Sequence, residues 1–293
     1  MDRLKPNALT KKHLSISKIF IYLALSLWAI TTIYPFLWII INSFRQRGLI
    51  LTDSFSIPTG DAFTLANYQR AFKKVDILGA YGRSLIISGT VTIVVVLLAG
   101  MAAYGLARYN FRGKKLCNGM VVAGMMFPVF ATIIPAFRMM RAWGIAGTNS
   151  VPLAMISMIL PQIAGNLCFA IIVLRGYIEG LPVDLEEAAY LDGCSIFKIF
   201  FKIIVPITKP SFATVAIFTF LWSYNDLFTQ MFMLRVKGQW TITRLLNELT
   251  SMEGTDYGLM AAAVALVVIP VIIVYIFLQK HIIKGLTAGA IKG

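Results

Sequence analysis

The sequence predicts an all-α polytopic membrane protein with six transmembrane helices, and three observations support that fold class. Hydrophobic residues make up 58% of the 293-residue chain, and the mean hydropathy is +0.77. Only 14% of the residues are charged, whereas soluble domains carry about 25%. Six long windows contain no charge or a single acid, and a helix of about 20 apolar residues is enough to cross a bilayer.

The charge-free windows place the spans along the chain. Five windows without charge run from Lys18 to Arg45, Arg83 to Arg108, Lys115 to Arg138, Arg141 to Arg175 and Asp256 to Lys280. A sixth window, from Pro210 to Met233, contains only Asp226. We expect spans at about 19–44, 84–107, 116–137, 151–174, 210–234 and 257–279, within one membrane domain of residues 19–293. Pro152 and Pro161 predict a kink or a break in the fourth span, because proline removes a helical hydrogen bond.

The distribution of basic residues predicts that both termini are cytoplasmic. With that orientation the inside segments 1–18, 107–115, 175–209 and 280–293 carry 16 Lys and Arg residues, and the outside segments 44–83, 138–150 and 235–257 carry 11. The positive-inside rule favours the more basic side, and the long outer segment 44–83 counts less in that rule. The N-terminal segment 1–18 and the tail 280–293 are therefore expected in the cytoplasm.

The same residue pattern excludes several classes of function. The net charge of +14 lies in short clusters beside apolar runs, which is typical of contacts with lipid headgroups and not of nucleic-acid binding. Cys117, Cys168 and Cys194 show no disulfide pattern and no metal-binding spacing, so we expect no metal site. The sequence contains no GxxxxGK[ST] motif and suggests no triad or carboxylate pair within the spans. We therefore expect no catalytic residue and no ATPase site in this chain.

Residues 186–206, EEAAYLDGCSIFKIFFKIIVP, form an acidic and amphipathic segment that stands out in this chain. Asp184 and Glu187 have the spacing of a capping box for a first short helix, and Gly193 is a natural helix stop. Ser195 is positioned to cap a second helix, which we expect to end at Pro206. The predicted shape is a helix, a glycine elbow and a second helix beneath the membrane.

The predicted surface of this elbow indicates a docking site for a cytoplasmic protein. We expect Glu186 and Glu187 to point outward from the first helix, beside two small alanines that let it enter a groove. The second helix is expected to turn four apolar side chains towards the bilayer or a partner: Phe197, Phe200, Phe201 and Ile204. The alternative is a helix that lies on the headgroups, but such helices usually carry Lys and Arg on the polar face.

Polar and aromatic residues in spans four and five are candidates for a transport path. A charge at the bilayer centre costs about 2.5–3.5 kcal/mol on insertion scales, so Asp226 is expected to have a function there. Aromatic rings that stack, together with amides and carboxylates that hydrogen-bond, suit a polyhydroxylated sugar. The candidate path residues are Gln162, Asn166, Trp222, Tyr224, Asn225 and Asp226. Hydrogen bonding between helices, or a position near the outer interface, remains an alternative for Asp226.

A spaced pattern runs through the elbow segment: Glu187-Ala188-Ala189, three residues, Gly193, nine residues, Ile203, one residue, and Val205-Pro206. This pattern resembles the EAA loop of permeases in binding-protein-dependent ABC importers, although Val205 stands where that family mostly has leucine. LANYQRAF, AAYGLARYNFRGKK, GIAGTNS and GLTAGAIKG extend the resemblance over nearly the whole chain. They are similar to the maltose-type second permease of carbohydrate importers.

The resemblance implies a type I ABC importer permease fold, with a coupling segment at residues 182–206 seated in a cleft of a separate ATPase subunit. The implied ATPase-coupling residues are Glu186, Glu187, Ala188, Ala189, Gly193, Ile203 and Pro206. The implied ATPase-contacting tail residues are Gly285, Thr287, Gly289 and Lys292. The residues implied to contact the binding protein are Gly254, Thr255, Asp256 and Tyr257.

The resemblance also implies the other components of the transporter. These are a second homologous permease subunit, two copies of a nucleotide-binding ATPase that hold ATP and Mg²⁺, and an extracytoplasmic solute-binding protein. The implied location is a bacterial or archaeal inner or plasma membrane, in contact with lipid, and the implied substrate is a sugar or oligosaccharide. No cofactor and no nucleic acid are expected on this chain.

Three alternative functions call for other sequence features. An importer for a phosphorylated polyol or another small polar solute is the nearest alternative. An ion-coupled secondary transporter calls for inverted repeats or paired intramembrane acids, and a membrane enzyme calls for a cluster of ionisable groups within the spans. The sequence displays none of these features.

Overall fold

The structure is a computed structural model that describes residues 16–252 and 256–290, and in these ranges it contains helices and no strand. The predicted segment 1–18 lies almost wholly outside the described residues. The α-helices are α1 (Ile16–Ser43), α2 (Ala66–Lys74), α3 (Ile77–Arg108), α4 (Lys114–Met126), α5 (Val129–Ala142), α6 (Val151–Glu179), α7 (Asp184–Leu191), α8 (Ile196–Ile199), α9 (Val205–Ile207), α10 (Lys209–Asn225), α11 (Leu227–Met233), α12 (Ile242–Met252) and α13 (Tyr257–Ala290). A π-helical turn, Phe200–Ile204, joins α8 to α9, and 3₁₀ turns lie at Arg47–Leu49, Gly60–Ala62 and Lys237–Gln239.

Within the described ranges, three helices are long and apolar enough to cross a membrane, namely α1, α3 and α6. Two bent pairs are further candidates: α4 with α5, bent by 105°, and residues 196–207 with α10, bent by 82°. If each bent pair is one span, length and composition give up to five spans. The sixth predicted span falls in α13, whose apolar part Tyr257–Ile273 is shorter. The all-α membrane fold class is confirmed, and the six span boundaries stay a prediction.

α3 begins seven residues earlier than the charge-free window predicts. Asp76 is its N-cap residue, and the carboxylate accepts a hydrogen bond from the Gly79 N–H at 2.9 Å. Arg83, the predicted boundary of the span, lies inside the helix, and its Nε donates to the Trp240 carbonyl at 2.8 Å. A charge therefore marks the edge of the apolar window without marking the end of the helix.

The helices are interrupted at two positions that the sequence analysis does not predict. Phe127 ends α4 with an extended backbone, φ −74° and ψ 122°, as a residue before proline prefers, because Pro128 follows. A second break separates α10 from α11 at Asp226. By contrast, α6 continues through Pro161, and Pro152 lies in its first turn, where proline is tolerated. α6 is therefore not broken at either proline, and a kink in span four stays a prediction.

α3 is the centre of the fold, packing along α6 and against α10 and α12. Its buried face repeats every three or four residues, as one side of a helix requires. The buried residues include Ala80, Ser84, Ile87, Ser88, Val91, Val95, Ala99 and Ala103. Gly100 brings α3 close to α10, since a Cβ there would lie 2.8 Å from the Cε1 atom of Phe212. Helices in lipid depend on such close packing, because no hydrophobic driving force acts between them.

A hydrogen bond from α3 compensates for the proline inside α13. Pro270 has no N–H, so the carbonyl of Leu266, four residues earlier, loses its helical partner. The hydroxyl of Tyr81 donates to that carbonyl. This bond ties α3 to α13 at the position where the hydrogen-bond ladder of α13 is interrupted.

Buried polar contacts hold the end of the molecule that carries α2 and α12, here called the loop end. Arg45 is fully buried, and its Nη1 donates to Asp53 Oδ2 at 3.3 Å. The hydrogen bond from the Ser56 hydroxyl, together with the Arg45 guanidinium, holds the pKa of Asp53 below its usual value. Arg70 of α2 donates to Asp256 Oδ2 at 2.6 Å, so α2 is fixed to the start of α13.

Candidate functional site

The elbow predicted from the sequence is present. α7 ends at Leu191, and Gly193 follows with φ +73°, in the left-handed region where glycine has no steric penalty. The Ser195 hydroxyl accepts a hydrogen bond from the Lys198 N–H at 3.4 Å and caps α8. A Cβ at Gly193 would meet no described atom within 4 Å, so the glycine is required by its backbone conformation and not by crowding.

Both ends of the segment differ from the prediction. Val183 is the N-cap residue of α7 and no side chain caps it, so the predicted capping box of Asp184 and Glu187 is wrong. Three acids nevertheless lie in the first turn, where the positive end of the helix dipole favours them. Pro206 lies inside α9, so the second helix runs on to Ile207. The π turn ends at Ile204, two residues before this proline, which cannot donate to an α-helical ladder.

The outward side of the elbow presents exposed acids, Asp184, Glu187 and Asp192, together with small and apolar side chains. Glu187 and Ala188 are exposed on α7, and Leu191 is 90% exposed at its end. Phe197 is 68% exposed on α8. These four residues, Glu187, Ala188, Leu191 and Phe197, are called the elbow face below. Of the other predicted coupling residues, Pro206 is exposed and Ile203 is half-buried.

Glu186 does not belong to the elbow face, and the prediction that it points outward is wrong. The residue is 3% exposed, and its carboxylate accepts from the Tyr104 hydroxyl at 2.8 Å and from Arg108 Nε at 2.5 Å. Adjacent residues of an α-helix point about 100° apart, so one acid turns inward when its neighbour turns outward. The guanidinium of α3 makes Glu186 the buried one. Ala189 is buried on the same side.

The predicted apolar face of the second helix is also divided between two sides. Phe200 and Ile204 are buried, so only Phe197 and Phe201 of the four predicted residues are exposed. The ring of Phe200 packs against α10, where its centroid lies 6.4 Å from that of Phe212. The inward pair therefore packs against this chain and is unavailable to a partner.

Further polar contacts join the inner side of the elbow to the end of α3. Arg108 Nη2 donates to the carbonyl of Leu181 at 3.0 Å. The hydroxyls of Tyr109 and Tyr190 lie 2.7 Å apart, and this hydrogen bond raises the pKa of Tyr190. The sequence prediction missed these α3 residues. Their signal was the pair Tyr104 and Arg108, four apart at the end of a span and therefore on one helix face.

A cavity of about 710 Å³ lies among α5, α6, α10 and α11. Four of the six candidate path residues line it, and these are Gln162, Asn166, Trp222 and Asp226. Lining residues that the sequence prediction missed include Phe130, Thr132, Ser223 and Thr229. A second cavity of about 620 Å³ shares Trp222 and Pro161 with it and has a mostly apolar wall. The lining residues described for these two cavities include one acid and no Lys or Arg.

Asp226 joins two of the helices that border the larger cavity, α6 and α11. Its Oδ1 accepts from the Thr229 N–H at 3.0 Å and so caps α11, while its Oδ2 accepts from Gln162 Nε2 at 3.0 Å. The Ser223 hydroxyl donates to Gln162 Oε1 at 2.6 Å. These bonds are of the kind expected if Asp226 serves to hydrogen-bond one helix to another, which is the alternative to a role in the transport path. Because a carboxylate offers about four lone-pair positions, they leave capacity for a ligand hydroxyl, and the path role stays a prediction.

The other two candidate path residues are not among those that line either cavity. Tyr224 is buried, and its carbonyl accepts from Thr243 Oγ1 at 2.9 Å. Asn225 is exposed, and its side-chain amide donates to the Leu221 carbonyl at 2.9 Å. Both contacts lie beside the break at the end of α10.

The predicted tail and binding-protein residues are only partly described. Gly285, Thr287 and Gly289 lie in the last turns of α13, and Lys292, Gly254 and Thr255 lie outside the described residues. Asp256 accepts from the Leu259 N–H at 3.1 Å and from Arg70, so it caps α13, and Tyr257 is exposed beside it. Among the described residues no group of three or more His, Cys, Asp or Glu side chains could hold a metal ion.

Known proteins share both the sequence and the fold of this chain. The diacetylchitobiose uptake system permease protein NgcG of Streptomyces coelicolor is 33% identical over 270 residues, which cover 92% of this chain and 87% of that protein. The trehalose transport system permease protein SugB of Mycobacterium tuberculosis is 33% identical over 261 residues, covering 88% and 92% respectively. A chain of a bacterial ABC transporter involved in the import of the acidic polysaccharide alginate superposes with a TM-score of 0.76 at 22% identity, covering 94% of this chain and 99% of that one.

A chain of the MetNI methionine ABC transporter superposes more loosely, with a TM-score of 0.56 at 14% identity, covering 76% of this chain and 99% of that one. The structural likenesses show the fold, which is that of ABC importer permeases. Residues 95–288, well over half of the chain, match the family described as the binding-protein-dependent transport system inner membrane component. The chain therefore belongs to the family of binding-protein-dependent transport system inner membrane components.

Proposed function

We propose that this chain is a transmembrane permease subunit of an ATP-driven importer for a sugar or oligosaccharide. It forms half of the translocation path and is coupled to a separate ATPase through residues 186–206. The observation that carries the proposal is the elbow face, which is exposed while the other side of the same segment is bonded to the spans. A segment built in this way offers a rigid surface to a partner.

The elbow face has the features of a helix that enters a groove. Ala188 is small enough to let the backbone approach, and Leu191 and Phe197 supply apolar contacts on either side of the elbow. Glu187 is the acid of the elbow face, and it pairs with a basic residue on the wall of the groove. Such a pair fixes the register of the docked helix more than it adds affinity.

The cavity supports a neutral polyhydroxylated substrate. Trp222 offers an aromatic face, and Gln162, Asn166 and Asp226 offer hydrogen-bonding groups at its edge. A phosphorylated polyol would bring at least one negative charge next to Asp226, and no basic residue lines the described wall to compensate for it. The relatives that carry diacetylchitobiose and trehalose in their names agree with a saccharide.

The rest of the assembly follows from the same proposal. A second homologous permease completes the path, two copies of an ATPase subunit bind ATP and Mg²⁺, and an extracytoplasmic binding protein delivers the substrate at the loop end. Both termini of this chain lie in the cytoplasm of a bacterial or archaeal cell, so the elbow faces the ATPases. Among the described lining residues the cavity contains a single acid, whereas an ion-coupled transporter calls for paired intramembrane acids.

The test is reconstitution with the neighbouring subunits. The chain is co-expressed with its candidate permease, ATPase and binding protein, purified, and placed in liposomes with a radiolabelled disaccharide outside. We expect the ATPase to co-purify and uptake to require ATP. Uptake by this chain alone under an ion gradient, or a chain that never retains an ATPase, contradicts the proposal.

Matched variants on α7 separate docking from general damage. Glu187→Lys reverses the exposed charge of the elbow face and is expected to reduce ATPase retention by about tenfold or more. Asp184→Asn removes an acid that is also exposed in the first turn of the same helix but lies outside the elbow face. We expect that control to retain the ATPase within about twofold of the wild type, as for an ordinary surface substitution.

A further inference from the structure

The buried side of the elbow carries an ion pair that the proposed docking does not use. Three charged side chains are buried in the part of the chain that the structure describes, and two of them, Arg45 and Asp256, lie at the loop end. The third is Glu186, whose partners Arg108 and Tyr104 both come from α3. A charge is expensive to bury, so a buried pair at the base of a docking surface needs a reason.

The contacts around Glu186 join three segments of the chain to the last turns of α3. The first is α7, through the ion pair and through the hydroxyls of Tyr109 and Tyr190. The second is the stretch that follows α6, through the bond from Arg108 to the Leu181 carbonyl.

The third segment is the π turn that follows α8. The ring centroids of Phe200 and Tyr104 lie 5.5 Å apart, and a Cβ at Gly100 would approach Phe200 Cζ to 3.2 Å. Both halves of the elbow are therefore attached to the same short stretch, residues 100–108 of α3 and its C-cap residue Tyr109.

The elbow and the end of α3 can separate only at a high cost. Moving α7 away from α3 would leave the carboxylate and the guanidinium unpaired in a buried place, which is the least favourable way to disrupt an ion pair. It would also break the tyrosine pair, and moving the whole elbow would separate the ring of Phe200 from that of Tyr104. By contrast, the outer side of the elbow makes no comparable contact within the described chain, and Gly193 is uncrowded.

We propose that Glu186 is a positioning residue that locks α7 to the end of α3, so that the elbow and α3 move as one rigid body. This inference rests on the proposed function, because the movement it transmits is imposed by the ATPase on the elbow face. α3 packs along α6, which carries Gln162 and Asn166 in the cavity wall. The motion therefore reaches the cavity through α3 and α6, and not only through α10, which follows the elbow in the sequence.

The first test uses Glu186→Gln in the complete transporter, with ATPase retention and sugar moved per ATP hydrolysed as the two readouts. The amide keeps the shape and an acceptor for Tyr104 but loses the charge that holds Arg108. We expect retention of the ATPase within about twofold, since Glu186 is not on the elbow face. We expect the sugar moved per ATP to fall by about tenfold or more, in the range of coupling between sites.

The comparison with Glu187→Lys separates this inference from the proposed function. Glu187→Lys is expected to lose the bound ATPase. Glu186→Gln is expected to keep the ATPase bound but to move less sugar per ATP hydrolysed. If the wild-type chain retains no ATPase, the proposed function fails. If the wild type is coupled and Glu186→Gln moves as much sugar per ATP as the wild type, only the positioning role fails.

A cross-link tests the rigid body even if the charge variant folds poorly. Tyr109→Cys and Tyr190→Cys are combined in a chain whose three native cysteines are serine, and the new pair is joined by a bis-maleimide. If α7 and α3 never separate during the cycle, the cross-linked transporter should keep at least about half of its uptake rate. Abolition of uptake by the cross-link, with uptake intact before the reagent is added, overturns the inference.

Discussion

Replacing Gly193 gives the sharpest prediction for the elbow, because only one unfavourable free energy is involved, that of the left-handed backbone conformation. The residue has φ +73°, and a Cβ there would meet no described atom within 4 Å. Alanine therefore causes no clash, and its whole penalty is the left-handed backbone, about 1–2 kcal/mol. That free energy corresponds to a factor of about 5–30 in the population of the elbow conformation.

The assay is the Kd of the purified ATPase for the chain in nanodiscs. We expect Gly193→Ala to raise the Kd by about 5–30-fold, because only the elbow conformation is competent to dock. Gly193→Asn should raise it less, since asparagine tolerates the left-handed region better than alanine. The melting temperature of the spans should not change, because the strain is confined to the elbow.

The matched control is Gly105→Ala in α3, another uncrowded glycine but with helical backbone. There alanine should stabilise the chain by about 0.5–1 kcal/mol and leave the Kd of the ATPase unchanged. A wild-type Kd for Gly193→Ala would refute the reasoning. So would a larger effect from asparagine than from alanine.

Three further predictions concern the spans. Tyr81→Phe leaves the Leu266 carbonyl without a partner and should destabilise the chain by about 0.6–1.7 kcal/mol, read as a lower melting temperature in detergent; an unchanged value contradicts the role given to this bond. Gly100→Ala forces a methyl against Phe212 and should cost about 1–3 kcal/mol in the same measurement, and a neutral result would mean that α3 and α10 do not approach as described. Asp226→Asn keeps a capping acceptor for α11 but loses the oxygen that accepts from Gln162, so the melting temperature should fall modestly while saccharide uptake falls strongly; normal uptake would reduce Asp226 to a structural role.

Local signals explain why the elbow could be predicted from the sequence. Gly193 and Ser195 act through their own backbone and their nearest neighbours, so their roles are readable without knowledge of the fold. The same holds for the all-α membrane class, which depends on composition and window length. The bend between α4 and α5 also has a local signal in Pro128, which carries no charge and therefore does not interrupt a charge-free window.

Long-range partners explain what could not be predicted. Glu186 and Glu187 are chemically identical neighbours, and the difference between them comes from Arg108, 78 positions away in the sequence. Likewise Asp226 interrupts span five because Gln162 of another helix accommodates its carboxylate. The start of α3 was misplaced because Arg83 finds a carbonyl partner inside the folded chain.

The most direct test of the account is site-specific photo-cross-linking at position 187 in the assembled transporter. A photoreactive residue at Glu187 of the elbow face should cross-link to the ATPase subunit, and the same residue at Lys237, exposed at the loop end, should not. Cross-links from position 187 to lipid alone, or to no second polypeptide, would contradict the claim that this elbow couples the chain to a separate ATPase.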